Sequence, residues 1–380
     1  MALLALAMTG FICIMTETMP AGLLPEISTG LNISLSATGQ WITVFALGST
    51  LAAIPLTIAT GSWNRKTLLQ ITLLGFLFFN TITALSSNIY LTLFARFGAG
   101  AAAGLAWGLL AGYSRRIVAP HLQGRAMAIA MAGTPAALSL GVPLGTWLGH
   151  FLGWRMTFGM MSVFSVLLMI WVYCVLPDVP GHLKHSKISF RQVLTTRGVK
   201  PVLAVVLTWM LAHNILYTYI APFSALSGMA SHIDIVLLIF GLSSLAGLCI
   251  TGKLIDRHLR LMALLSLTGL SLFALFLAIY SSSPTILIVG SVVWGITFGG
   301  AGTLLTTALA DAAGDGADVA ISVTVVSWNI AIALGSITGG FILEGDGAKN
   351  LPWAFLLLVI CSLIIVKFNS KYAFPRRILY

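Results

Sequence analysis

The chain has 380 residues, of which 58% are hydrophobic and only 8% charged, with a formal net charge of +10. No water-soluble globular domain of this size carries so little charge, so the composition defines a polytopic membrane protein. The positive balance alone would admit a nucleic-acid partner, but the excess of Lys and Arg that membrane proteins keep on cytoplasmic loops accounts for nearly all of it, and no nucleic acid is expected.

Apolar runs of about 17–25 residues, the length that about 30 Å of hydrocarbon demands, are predicted twelve times. Their cores are 3–24, 41–59, 68–85, 91–112, 126–148, 157–175, 202–223, 235–251, 261–280, 286–310, 319–343 and 353–368. The first run lacks a basic leader and continues through Thr16-Glu17-Thr18 without a cleavage site, so it is expected to be a retained span and not a signal peptide. Six runs precede and six follow the one long polar segment, 177–200, which carries Lys184, Lys187, Arg191, Arg197 and Lys200 with His182 and His185. The expected organisation is therefore a six-helix bundle over 1–176, a basic cytoplasmic linker over 177–200, and a second six-helix bundle with a short tail over 201–380. Within the linker, 186–195 has the pattern of an amphipathic helix lying on the membrane surface; a solvated basic loop is the alternative. Cys13, Cys174, Cys249 and Cys361 all fall inside apolar runs and are expected to be small core residues, with no disulfide and no metal role.

Seventeen of the 20 Lys and Arg fall on one side of this arrangement, Arg155 and Lys349 on the other, and Arg96 within the fourth span. That split predicts that both termini and the linker are cytoplasmic. The halves also resemble each other at a nearly constant offset. Gly61 to Lys66 precedes Gly252 to Arg257 by 191 residues, and Gly141-x-x-x-Gly145 precedes Gly335-x-x-x-Gly339 by 194; Pro25 is expected to end the first span as Pro222 ends the seventh. A parallel repeat of six helices implies a binding site between the halves near the midplane, worked by alternating access.

Glu17 is the leading functional candidate, because a carboxyl group within a span is costly to ionise. It lies about 21 Å along the first helix from Leu3. It is read as a proton-titrating group, or else as a structural carboxyl. Arg96 lies at similar depth on the fourth span and could pair with it, or be bonded to neighbouring carbonyl groups. His213, Asn214 and Tyr217 on the seventh span make a polar and aromatic patch of the kind that lines small-molecule sites, with Thr16, Asn80, Trp107 and Asn329 as further candidates for substrate contact. Each could instead be a helix-packing contact. Gly141, Pro143 and Gly145 permit close approach and bending on the fifth span. No phosphate-binding loop, metal-ligand cluster or nucleophile–base–acid set is present, so neither a cofactor nor enzymatic activity is expected.

These motifs together resemble the major facilitator superfamily over the whole chain, and within it the bacterial drug:proton antiporter branch with its sugar-efflux and purine-nucleoside-efflux members. Gly252-x-Leu-x-Asp256-Arg257-x-x-Arg260 is similar to the superfamily's cytoplasmic loop motif, Arg96-x-x-x-Gly100 to its fourth-helix proton motif, and Gly141-Val-Pro143-Leu-Gly145 to its antiporter motif. Thr16-Glu17-x-x-Pro20-x-Gly22-Leu-Leu-Pro25, Gly153-Trp154-Arg155 and Tyr219-Ile-Ala-Pro222 look like signatures of the efflux branch. The first-half loop departs from the pattern, with Asn64 where Asp is expected. Asp311, Asp315 and Asp318 stand between the tenth and eleventh spans; replacement of that contact by a cross-half latch of Arg65 or Lys66 with Asp315 or Asp318 is one expectation, and three solvated acids that cap the eleventh helix are the other.

The resemblance implies an all-α fold of twelve transmembrane helices in two pseudo-symmetric bundles, in the inner membrane of a bacterium. It implies a monomer that exports drugs, sugars or nucleosides in exchange for protons, with Glu17 and Arg96 in proton coupling. A facilitator or proton symporter importing a sugar or nucleoside is the competing reading, and a membrane sensor or channel a more distant one.

Overall fold

The computed structural model describes residues 1–181, 190–369 and 371–374, with backbone only at 54, 111, 120, 190, 191, 315, 318, 319 and 322. Every regular element among them is a helix. The first six long ones are α1 (Ala2–Gly22), α2 (Leu35–Ala59), α3 (Arg65–Leu85), α4 (Ile89–Arg116), α5 (Gln123–Leu152) and α6 (Trp154–Val175). After the linker come α7 (Val199–Thr218), a 47-residue helix Ile233–Ile279, then α10 (Pro284–Ala313), α11 (Ala317–Gly345) and α12 (Leu351–Phe368). Unbroken, 47 residues would extend about 70 Å, more than twice the hydrocarbon thickness. The backbone leaves helical geometry at His258 (φ −130°, ψ 29°), which divides this helix into two spans, α8 (233–257) and α9 (259–279). The twelve expected spans are therefore present. The Gly252–Arg260 motif is helical up to and beyond that bend, whereas its first-half counterpart is an open turn.

Contacts within the chain group into two units, Met1–Lys184 and His185–Tyr380. Each is built on the same two seams of small residues. In the first unit, Gly100 and Gly104 on α4 lie against the carbonyl groups of Phe45 and Ser49 on α2, and Gly48 lies against that of Phe97. In the second, Gly295 and Gly299 on α10 meet the carbonyl groups of Phe240 and Ser244 on α8, and Gly247 meets that of Ile296. A Cβ at Gly100 would overlap the Phe45 carbonyl oxygen. The other seam sets α5 on α1 through Gly133, Gly141 and Gly145, and α11 on α7 through Gly335 and Gly339. Apolar side chains gain little from leaving lipid for protein, so backbone approach of this kind is what holds spans together.

The first helix of each unit breaks in the same way. Leu23 (φ −112°, ψ 19°) and Tyr219 (φ −112°, ψ 25°) interrupt α1 and α7, and short helices Leu24–Leu31 and Ile220–Ala225 follow. Pro25 and Pro222 therefore do not close the preceding helices; they stand in the first turns of the next, where a missing N–H leaves no carbonyl unserved. In α5 the turns widen to a π-helix over Ala137–Gly141, just before Pro143. Pro143 cannot donate to the Ser139 carbonyl, and a local change of helical pitch is one way such a gap is accommodated.

Two further expectations change. Cys13 is buried, but Cys174, Cys249 and Cys361 are exposed on outward faces and are not core residues. Of the predicted linker helix, 186–189 lies outside the described residues, and Phe190–Thr195 packs inward on its own bundle, with Val193 buried against Gly316.

Candidate proton-coupling and substrate site

Arg96 is fully buried where α1, α3, α4 and α6 converge. Its Nη1 donates to the carbonyl oxygen of Thr16 (2.8 Å) and its Nη2 to Oδ1 of Asn80 (2.9 Å) and the hydroxyl of Thr83 (3.3 Å). Asn80 in turn donates to the Thr16 hydroxyl (3.0 Å), which points at the Met161 sulfur (4.0 Å). The guanidinium lies over the Phe158 ring, 4.9 Å from its centroid, a placement that suits a planar, weakly hydrated cation. The partner is thus a carbonyl group and two neutral side chains. No ion pair joins Arg96 to Glu17; elsewhere in the unit Glu26 lies against His150 (2.6 Å), an ion pair when the imidazole is protonated. The Thr16 carbonyl is free to accept because Pro20, four residues on in the same helix, has no N–H to give it.

Glu17 is nine-tenths buried and has no hydrogen-bond or ion-pair partner among the described residues. The arginine therefore fixes the helix that carries the carboxyl group while leaving the carboxyl group uncommitted. Thr16 and Asn80, expected to touch substrate, are fully buried and serve Arg96. Trp107, half-buried, reaches Gly10 of α1.

In the second unit His213 and Tyr217 form one cluster with groups that the sequence did not single out, whereas Asn214 is turned toward Gly335 of α11. Trp294 of α10 donates to Nδ1 of His213 (3.2 Å), and Phe298 and Phe240 stand against the same ring. Asn214 donates to the Met210 carbonyl (2.8 Å) and Asn329 to that of Val325 (2.9 Å), so both turn their amide oxygens away from their own helices. Only a search for an aromatic residue one turn from another, as Trp294 is from Phe298, would have flagged α10.

At the linker end of the first unit, Asn64 caps α3 by accepting from the N–H groups of Lys66 (2.9 Å) and Thr67 (3.4 Å). Replacing it by Ala should lower stability by about 1 kcal/mol, and by Asp hardly at all, in thermal unfolding of the purified protein; equal losses in both would remove the cap as its role. Arg65 donates to the Gly61 carbonyl (2.9 Å) while its own N–H donates to Val179 (2.8 Å), Arg116 donates to Pro180 (3.0 Å), and Lys66 lies over the Tyr173 ring (5.1 Å). The side chains of Asp315 and Asp318, named for the latch, lie outside the described residues. Asp256 and Arg257 are exposed, and Gly252 faces open space.

Twelve spans in two like halves, with a buried carboxyl group held on the first, make a transporter architecture. The chain belongs to the Major Facilitator Superfamily, whose profile matches residues 6–336 and 230–376. Among its relatives, the purine ribonucleoside efflux pump NepI of Shigella sonnei is 27% identical over 94% of this chain and 91% of its own length. A probable sugar efflux transporter of Pasteurella multocida is 26% identical over 94% and 89%. The fold is shared with the inward-open xylose transporter XylE from E. coli (TM-score 0.76, 14% identity, 99% of this chain and 96% of that one). It is also shared with a bacterial homolog of the human lysosomal transporter Spinster (TM-score 0.70, 14% identity, 98% and 95%).

Proposed function

We propose that the protein is a proton-driven antiporter that exports small organic compounds, among them nucleosides, sugars or drugs, across a bacterial inner membrane by alternating access. The observation that carries this reading is the uncommitted carboxyl group of Glu17, beside a backbone carbonyl pinned by Arg96. A group that gains and loses a proton during a transport cycle must not be locked in a permanent bond, and Glu17 has none among the described residues. Arg96 acts by fixing that stretch of α1. Gly141, Pro143 and Gly145 supply bending in α5, Arg65 and Lys66 in the first unit and Gly252, Asp256 and Arg257 in the second are gating residues of their own units on the cytoplasmic side, and both termini are cytoplasmic, as the distribution of Lys and Arg indicates. The substrate meets His213, Asn214, Tyr217 and Asn329, and the transporter works as a monomer.

Everted vesicles made with and without the protein, and supplied with radiolabelled inosine or arabinose, test this reading. Accumulation of a probe above equilibrium when the lumen is acid, lost on adding a protonophore, is the expected result. Equilibration indifferent to the gradient would instead mark a facilitator, and accumulation under the reverse gradient a symporter.

A further inference from the structure

His213 stands in the second unit with its ring stacked on Phe298 (centroids 3.7 Å apart, planes 8° from parallel) and on Tyr217 one turn along its own helix (5.0 Å, 23°). Phe240 lies 5.8 Å away. Ring packing therefore restrains rotation of the imidazole. Trp294 then sets its chemistry. An indole nitrogen only donates, and it is aimed at Nδ1, so Nδ1 is the bare nitrogen of a neutral ring. The single imidazole proton is left on Nε2, for which no protein acceptor is present among the described residues. Trp294 itself is 1% exposed, beyond direct reach of a substrate, whereas His213 keeps 8% of its surface accessible.

We infer that Trp294 is a positioning residue for substrate recognition: it locks His213 as the neutral Nε2–H tautomer, so that this unit presents one fixed donor to an uncharged substrate bearing an acceptor, such as a carbonyl oxygen, a ring nitrogen or a hydroxyl oxygen. This role presupposes that His213 lies on the substrate path. A doubly protonated imidazole would repel the indole N–H, and the other tautomer would set two N–H groups against each other, so the lock holds for as long as the indole is there. The recognition chemistry of this ring is then one donor that carries no charge.

The test is Trp294→Phe, which keeps a ring in the cluster and deletes only the donor. In the full-length protein with 15N-labelled histidine, the wild type should show His213 with a pyridine-type Nδ1 and a pyrrole-type Nε2. The variant should show both tautomers in exchange. A wild-type spectrum with the proton on Nδ1, or a variant spectrum identical to the wild type, would overturn the lock without any transport being measured. Inosine, with acceptors on its base and ribose, is the probe for recognition. It should shift the Nε2 signal of the wild type, and Trp294→Phe should raise the KM for inosine about five- to tenfold, with a smaller change in kcat, as expected for loss of one positioned hydrogen bond. Inosine exported by both proteins with the same KM would leave the tryptophan a purely structural part of an aromatic cluster and defeat the inference. Absence of inosine export by the wild type would count against the nucleoside reading, while the nitrogen spectra judge the lock on their own.

Discussion

Glu17→Gln is expected to abolish gradient-driven accumulation while leaving the protein folded and able to exchange substrate. The amide has nearly the shape of the carboxyl group and cannot release a proton in the transport cycle. Because Glu17 makes no bond among the described residues, its replacement strands nothing, and an uncharged group within a span is less costly than an ionised one. Stability should stay level or rise slightly. In everted vesicles the variant should accumulate probe no further than wild-type vesicles treated with protonophore, a loss of about tenfold or more, since each 1.4 kcal/mol of lost drive is a factor of ten. Counterflow without a gradient should persist, because it needs the alternation of access and not the proton. Undiminished accumulation would take Glu17 out of the coupling mechanism, and loss of counterflow together with accumulation would make it a substrate or folding residue.

Arg96→Ala should be the more damaging to the fold. It leaves the Thr16 carbonyl and the Asn80 oxygen without that donor in a buried interior, uncouples Asn80 from its place, and removes the cation that lies over Phe158. Hydrogen bonds from a charged donor contribute about 1.5–3 kcal/mol each, so a loss of about 3–5 kcal/mol is expected, enough to reduce yield and thermal stability in detergent. Arg96→Lys should fall between, since a single ammonium group does not reproduce a planar fork reaching two helices. The partners are neutral at every ordinary pH, so the loss should not depend on pH. A deficit that disappears in acid would instead identify Arg96 as the counter-ion of the Glu17 carboxylate, because acid would neutralise the group left alone.

The spans were legible in the sequence because each is a long, predominantly apolar run, and the repeat because glycine-bearing motifs recur at nearly one offset in both halves. The backbone break at His258 lies where the polar Gly252–Arg260 stretch separates two such runs. The partners of Arg96 were not legible. An arginine has five donors, and a sequence ranks the one conspicuous carboxylate above the anonymous carbonyl of the residue before it; which lies in reach depends on helix rotation. The same reason moved Thr16 and Asn80 from the substrate to the arginine. Asn64 read as a departure from a motif, yet its amide oxygen caps α3 as an aspartate would. Trp294 escaped notice because a tryptophan in an apolar run looks like core, and its role arises only from the nitrogen it faces on another helix.

The glycine seams bear on how each half can deform. Where α2 meets α4 and α8 meets α10, glycines lie directly on carbonyl groups of the facing helix. Contacts of that kind have little slack, because Cα–H groups and carbonyl oxygens at close range lose their attraction with small shifts and clash with smaller ones. These two pairs are therefore the struts of their bundles. The widened turn at Ala137–Gly141 is the opposite element, a stretch of α5 with altered hydrogen bonding beside α1, the helix that carries Glu17. Under the proposed coupling through Glu17, α5 is the member of this bundle expected to yield when that carboxyl group gains or loses its proton.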